Sequence, residues 1–231
     1  MMSWFGREKS PAGNPILRYG KDAPPTPFGV LGEETVEFTR TRESVYQQRF
    51  GEILSVSHEI LPLVPHIDVY TFRRTIAGRE CHQFVTGGMS DLPMVLPRGA
   101  DSVPKRVELI FYCDQPLEEY ICTLRWLAHF PHTYKTWVGS GHTIPNGNPP
   151  APFWGSASLD TILFIPPIIR KDQTIAEDLQ LAGDPVSLLW AVPLSTAECN
   201  LKLQKGLDAV LDLFNRYQHP FIFDPARSSY V

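Results

Sequence analysis

Lys105-Arg-Val-Glu-Leu-Ile-Phe-Tyr-Cys113 is the stretch on which the fold turns. Val107, Leu109, Phe111 and Cys113 fall on one face of an extended chain, and Glu108, Ile110 and Tyr112 on the other. A strand that is mostly apolar on both faces is covered on both sides, which places it inside a sheet rather than at the rim.

Two further runs read the same way. Leu159–Pro166 and Val186–Leu194 are almost continuously apolar and predict buried strands. His66-Ile-Asp-Val-Tyr-Thr-Phe-Arg-Arg74 alternates instead. Ile67, Val69 and Thr71 share one face; Asp68, Tyr70 and Phe72 share the other. The Ala77-Gly78 turn then returns the chain as a second strand, Cys81–Thr86, which ends at Gly87-Gly88.

Helical spacing appears in three places. Tyr46, Phe50, Ile53 and Leu54 lie at i, i+4, i+7 and i+8, predicting a helix over about 42–54. Leu117, Tyr120, Ile121, Leu124, Leu127 and Ala128 form a second stripe over about 117–130. A third helix opens at Ser195-Thr-Ala-Glu198, the capping-box pattern, with Cys199, Leu203, Leu207, Val210, Leu211 and Phe214 as its core stripe. Strands interleaved with helices predict an α/β (α+β) domain, a single mixed sheet covered by helices. Residues 1–38, with Pro11, Pro15, Pro24, Pro25 and Pro27, read as an irregular arm, and 39–231 as the domain.

Composition narrows the function. Hydrophobic residues make up 43% of the 231 and charged residues 20%, so the chain can bury a core without staples. A net charge of −4 with no basic stripe argues against a nucleic-acid partner. No run reaches the ~20 apolar residues of a membrane span. Cys81, Cys113, Cys122 and Cys199 form no CxxC pair; the last three sit in apolar-patterned segments and read as buried free thiols. A reducing, cytoplasmic setting follows as the expectation.

Catalytic motifs are incomplete. Gly88-Met-Ser90-Asp91 lacks the second glycine of a serine elbow, because Leu92 stands there. Gly139-Ser-Gly141 has no phosphate-loop lysine. His129, His132 and His142 match no metal signature, although three donors plus water would suit a catalytic zinc. Asp68 and Glu108, placed on neighbouring strands, could face each other or an arginine such as Arg73, Arg74 or Arg106. No cofactor, metal or catalytic residue is assigned on this reading. A metal-dependent or serine hydrolase built on these groups is the alternative.

Several segments together resemble the suppressor-of-fused domain family. They are His66–Phe72, Phe84-Val-Thr-Gly-Gly-Met-Ser-Asp-Leu-Pro-Met94 and Arg106–Tyr112, with Thr136–Gly139, Gly141–Ile144 and Val192–Glu198 resembling its bacterial, single-domain branch. The likeness spans about residues 40–217. It implies binding. In the animal member, this domain and a second, different one grip a short transcription-factor peptide, partly by adding it as a strand. The bacterial members are single domains, many of them thought to neutralise a partner toxin. No animal-type C-terminal domain is expected in these 231 residues, so the two-domain clamp is not expected to carry over intact.

The resemblance thus implies a non-enzymatic protein-binding module of immunity type, with a protein partner such as a cognate toxin domain. The residues singled out for partner binding are Asp68, Ser90, Asp91 and Glu108, which lie in the resembling motifs. Trp137 and Trp154 join them, from the aromatic-rich 126–154 stretch. Mild acidity suits a basic partner.

Overall fold

The structure, a computed structural model, describes residues 8–19, 28–29, 32–61, 63–100 and 102–231. In chain order its strands and helices are β1 (Glu8–Lys9), β2 (Pro15–Ile16), α1 (Glu33–Phe50), β3 (Ile53–Ser57), β4 (Asp68–Ile76), β5 (Arg79–Gly87), β6 (Arg106–Cys113), α2 (Glu118–Thr133), β7 (Thr143–Pro145), β8 (Leu159–Ile165), α3 (Arg170–Gln173), β9 (Gln180–Leu181), β10 (Asp184–Ser195), α4 (Thr196–Lys205) and α5 (Leu207–Arg216). Two 3-10 turns, Met89–Asp91 and Ile175–Glu177, complete the set. The fold is α+β, a large mixed sheet flanked by helices, as the strand patterns predicted. By contacts the chain divides into two compact units, 24–142 with 164–192, and 1–23 with 143–163 and 193–231.

In the first unit the strand order is β3-β4-β5-β6-β10. β4 and β5 form the expected hairpin, running from Asp68 opposite Gly87 to Ile76 opposite Arg79. β6 pairs antiparallel with β5 and parallel with β10, Val186 opposite Arg106 through Trp190 opposite Ile110. All eight residues of β6 are buried, the interior position its two apolar faces required.

The two faces of this sheet are covered by different helices. Tyr46 of α1 packs edge-on against Tyr70 and Phe72. Phe84 and Phe111, opposite each other in register and on the reverse face, pack against Tyr120 of α2. Glu108 lies two residues from Ile110, on the α1 side.

Several boundaries differ from the sequence-based ones. α1 starts at Glu33 and ends at Phe50; Gly51, at φ 97°, stops it and donates its N–H to the Gln47 carbonyl. Ile53 and Leu54 therefore belong to β3, not to the helix. α2 continues through Pro131 to Thr133. Cys122 is exposed, because the buried stripe of α2 runs through Tyr120, Ile121, Leu124, Leu127 and Ala128 and leaves Cys122 outward. Asp68 and Glu108 are not on adjacent strands, since β5 separates them. Of the residues expected to form the N-terminal arm, 1–7, 20–27, 30 and 31 lie outside those described.

In the second unit β7 and β8 pair antiparallel, with Thr143 opposite Leu163. β1 and β2 form a small antiparallel pair, and the Ala12 N–H in their turn donates to the Leu203 carbonyl of α4. Ser195 caps α4 as expected: its hydroxyl accepts from Glu198 N–H, and the Glu198 carboxylate accepts from Ser195 N–H. Gly206, at φ 93°, splits the anticipated single helix into α4 and α5.

Candidate functional site

Three of the residues singled out by sequence come together beneath α1. Glu108 is fully buried on β6, and both of its oxygens are engaged. One accepts from the Gly88 and Ser90 N–H groups at 2.9 Å each and from the Ser90 hydroxyl at 2.5 Å. The other accepts from the Thr86 hydroxyl at 2.7 Å, while Thr86 Oγ1 itself accepts from Leu109 N–H. The carboxylate thus holds the Met89–Asp91 turn closed from below, taking up N–H groups that the turn cannot satisfy itself.

Two arginines complete the cluster. Arg42 of α1 donates to Asp91 Oδ1 at 2.6 Å and lies 3.8 Å from Glu108. Arg106 donates to the Ser90 and Asp91 carbonyls at 2.7 and 2.8 Å, and its guanidinium lies over the Phe38 ring. Burial pushes the Asp91 carboxyl up to about 6 against the pull of Arg42. Burial also works against the Arg42 charge, but Asp91 and Glu108 outweigh it and hold that guanidinium protonated. At neutral pH the pair is ionic.

Asp68 belongs to a different constellation, at the base of the loop between β3 and β4. It accepts from Glu59 N–H at 3.2 Å and meets His58 Nδ1 at 3.1 Å and His66 Nε2 at 3.3 Å. Glu59 in turn accepts from Ile67 N–H and lies 2.7 Å from His129 Nε2. Burial raises the Glu59 carboxyl, but hydrogen bonds from His129 and Ile67 N–H prevail and hold it below the usual carboxylate range. Arg125 of α2 donates to the Ile67 and Ser57 carbonyls, fastening the loop base to the helix. Beyond that base Ile60 is 97% exposed and Leu61 55%.

The two tryptophans stand apart from both clusters. Trp137, half-buried, lies against His142 with ring centroids 4.1 Å apart. Trp154 belongs to the second unit and packs edge-on against Phe223. Arg106, named from the sequence as a possible carboxylate partner, instead takes the Ser90 and Asp91 carbonyls, and Arg42 was not singled out by sequence. Arg42 does have a cue, because it fills a position of the stripe Phe38, Val45, Tyr46 and Phe50 that burial otherwise reserves for apolar groups.

The groups named for the hydrolase alternative face different neighbours. His129 meets Glu59, His132 donates to the Met89 carbonyl at 2.9 Å, and Ser90 is spent on Glu108. Among the described residues no three His, Cys, Asp or Glu side chains are arranged to hold a metal ion. No described helix is long and apolar enough to cross a membrane.

His132 gives a pH signature. Burial pushes its imidazole down to about 4 from 6.5, so the folded chain resists a proton that the unfolded chain accepts. Stability therefore falls as pH drops from 6.5 toward 4. At pH 5 the loss from this one group is about 2 kcal/mol. Asp91, raised to about 6, acts with the opposite sign between 3.8 and 6, so the bare pH profile mixes the two. Urea titrations at pH 7 and pH 5 should show a smaller pH 5 penalty for His132→Gln than for the parent chain. Equal penalties would remove His132 as the cause.

Comparison with known proteins bears on family and fold. A family model described as suppressor of fused protein (SUFU) matches residues 64–228, which contain β4, the Met89–Asp91 turn and β6. No curated protein matches the chain. Among solved structures, a protein from Neisseria gonorrhoeae described as a SUFU homologue superposes with a TM-score of 0.65 at 16% identity, over 85% of this chain and 98% of that one. A chain of the Sufu-Fu complex gives 0.57 at 10% identity, over 85% and 92%. Drosophila Suppressor of Fused gives 0.51 at 11%, over 83% of this chain and 50% of its own. At these identities the likeness concerns the fold.

Proposed function

Since the chain belongs to the suppressor of fused family, we propose that it is a protein-binding module that acts without catalysis and, more narrowly, an immunity-type protein that neutralises a cognate toxin domain. The observation that carries the binding reading is the rim of the first unit. Among the described residues β3 is paired on one side only, with β4, which leaves backbone groups on its other side for an incoming strand. Leu54 on that strand is 45% exposed, and the loop that follows presents Ile60 almost bare and Leu61 more than half exposed. Apolar surface of this kind gains free energy when a partner covers it. The Sufu-Fu structure, a complex, supports a protein as the class of partner. The narrower toxin reading draws on the resemblance to the bacterial branch and on the net charge of −4, which suits a basic partner.

In this reading the residues singled out by sequence play different parts. Asp68 fixes the base of the presenting loop. Ser90, Asp91 and Glu108 hold the frame of the first unit, to which Trp137 adds aromatic surface, and Trp154 adds aromatic surface to the second unit by itself. Calorimetry between this chain and the product of the gene beside its own tests the proposal. Tight, saturable binding is expected. Ile60→Asp with Leu61→Asp should weaken it roughly 30-fold or more, as loss of a central apolar contact does. The same variant should melt within about 2 °C of the parent, because exposed positions carry little stability. Binding unchanged by the double substitution overturns the surface; no binding at all overturns the toxin reading.

A further inference from the structure

The second unit holds a small site already filled by the chain itself. Glu198, fully buried, belongs to the capping box of α4, yet a carboxylate needs only one oxygen for that role. Arg227 takes the rest as a fork, Nη1 to Oε1 at 2.7 Å and Nη2 to Oε2 at 2.9 Å. Nη2 also donates to the Pro193 carbonyl at 2.9 Å. Three residues on, Tyr230 N–H donates to Glu198 Oε1 at 3.0 Å. The Tyr230 ring lies parallel to Tyr217 at 4.8 Å, under the Arg227 guanidinium at 4.4 Å, with its hydroxyl 3.0 Å from His219 Nδ1. Between them Ser229 shares a hydroxyl contact of 2.8 Å with Ser195.

These contacts differ in kind from those that hold the core. Ile222 and Phe223 are the last buried apolar residues. After them a turn at Asp224, whose carboxylate and carbonyl accept from Ala226 and Arg227 N–H, hands the chain over to an extended segment in no strand or helix. Residues 227–230 are held by an ionic fork, an aromatic slot and a few polar contacts, among them the captured Tyr230 N–H and the Ser229–Ser195 hydroxyl pair. That is the vocabulary by which domains recognise peptides.

We propose that the cleft between the start of α4 and the end of α5 is a peptide-binding site for an extended segment carrying arginine and, three residues later, tyrosine. The chain's own residues 227–230 occupy it in cis, and a segment of another polypeptide with the same spacing can take their place. Glu198 reads the arginine, Tyr217 and Phe214 the aromatic ring, and His219 its hydroxyl. Tethering supplies the cis ligand at an effective concentration on the order of millimolar, so an outside peptide competes poorly until the cis segment is weakened.

The test uses the full chain with Arg227→Ala and Tyr230→Ala, and a fluorescent peptide of residues 224–231. Saturable binding is expected, at least about tenfold tighter than to the parent chain, whose site is filled. The peptide with alanine in place of its arginine should not bind. A double variant that keeps the parent's circular dichroism and melting temperature yet binds no peptide overturns the proposal. Should the variant fail to fold, amide exchange on the parent chain decides. The Tyr230 amide should exchange about 100-fold faster than amides inside α5, by local detachment. Exchange of both at one rate would make the segment an inseparable part of the unit and end the idea.

Discussion

Glu108→Ala is expected to leave the chain without a stable fold. The substitution removes the acceptor for the Gly88 and Ser90 N–H groups and for the Ser90 and Thr86 hydroxyls, all in a region that water does not reach. Each buried donor left unsatisfied costs about 1–3 kcal/mol, so even the low end of four such losses is about 4 kcal/mol. A cavity where the carboxylate stood and a guanidinium at Arg42 with one anion fewer add to that. Against a total stability of about 5–15 kcal/mol the sum is decisive. Glu108→Gln keeps one carbonyl oxygen and the shape, and should fall between parent and alanine. Ser90→Ala removes one donor from Glu108 together with that donor's hydroxyl, and should cost only about 1 kcal/mol. Denaturant titration of the three variants gives the order directly. A Glu108→Ala chain as stable as the parent would mean that the turn above it closes by other means.

This ordering also separates frame from surface. The Ile60 and Leu61 substitutions should change binding and spare stability, whereas those at Glu108 should change stability first. A variant that lost binding only because it unfolded would say nothing about contact with a partner.

What could be read from the chain alone follows from how local each signal is. The β4–β5 hairpin was legible because the alternation of His66–Arg74 runs into the Ala77-Gly78 turn, which sends the chain back, and the interior place of β6 because both faces are apolar. The capping box at Ser195 and Glu198 needs only four residues, and it forms as written. β3 was hidden, since Ile53 and Leu54 continue the helical phase of Tyr46 and Phe50, and a short rim strand with none of its residues fully buried has no pattern of its own. Gly51 was the available signal for the break. At the candidate site, Ser90, Asp91 and Glu108 were picked out by family likeness, and they do meet. Their partner Arg42 lies 49 residues from Asp91 along the chain, on a helix whose stripe it interrupts, and no local rule joins the two. Trp137 and Trp154 were grouped because they are near in sequence, but they pack on different neighbours in different units. The segment at Arg227–Tyr230 escaped notice for the same reason as Arg42: its meaning lies in Glu198, which capping had already explained.

Gly88→Ala should be nearly as damaging as Glu108→Ala, although it adds a single methyl group. Gly88 sits at φ 111°, outside the conformations open to other residues, as it turns the chain from β5 into the Met89–Asp91 turn. A Cβ there would stand 1.8 Å from the His66 carbonyl oxygen and 2.9 Å from its carbon, and both are backbone atoms that no rotamer change can move aside. The strained conformation costs about 1–2 kcal/mol and the forced displacement about 1–3 kcal/mol more. The displacement also reaches both clusters at once. Gly88 N–H is one of the donors to Glu108, and His66 is a partner of Asp68 at the base of the presenting loop. Gly78→Ala is the matched control: it shares a positive φ, 79°, but a Cβ there meets nothing within 4 Å. It should cost only about 1 kcal/mol. The difference between the two midpoints in urea isolates the collision with the His66 carbonyl from backbone strain common to both. Equal losses would place the whole cost in the backbone angle, and the junction of hairpin, turn and loop would then be looser than the packing at Gly88 requires.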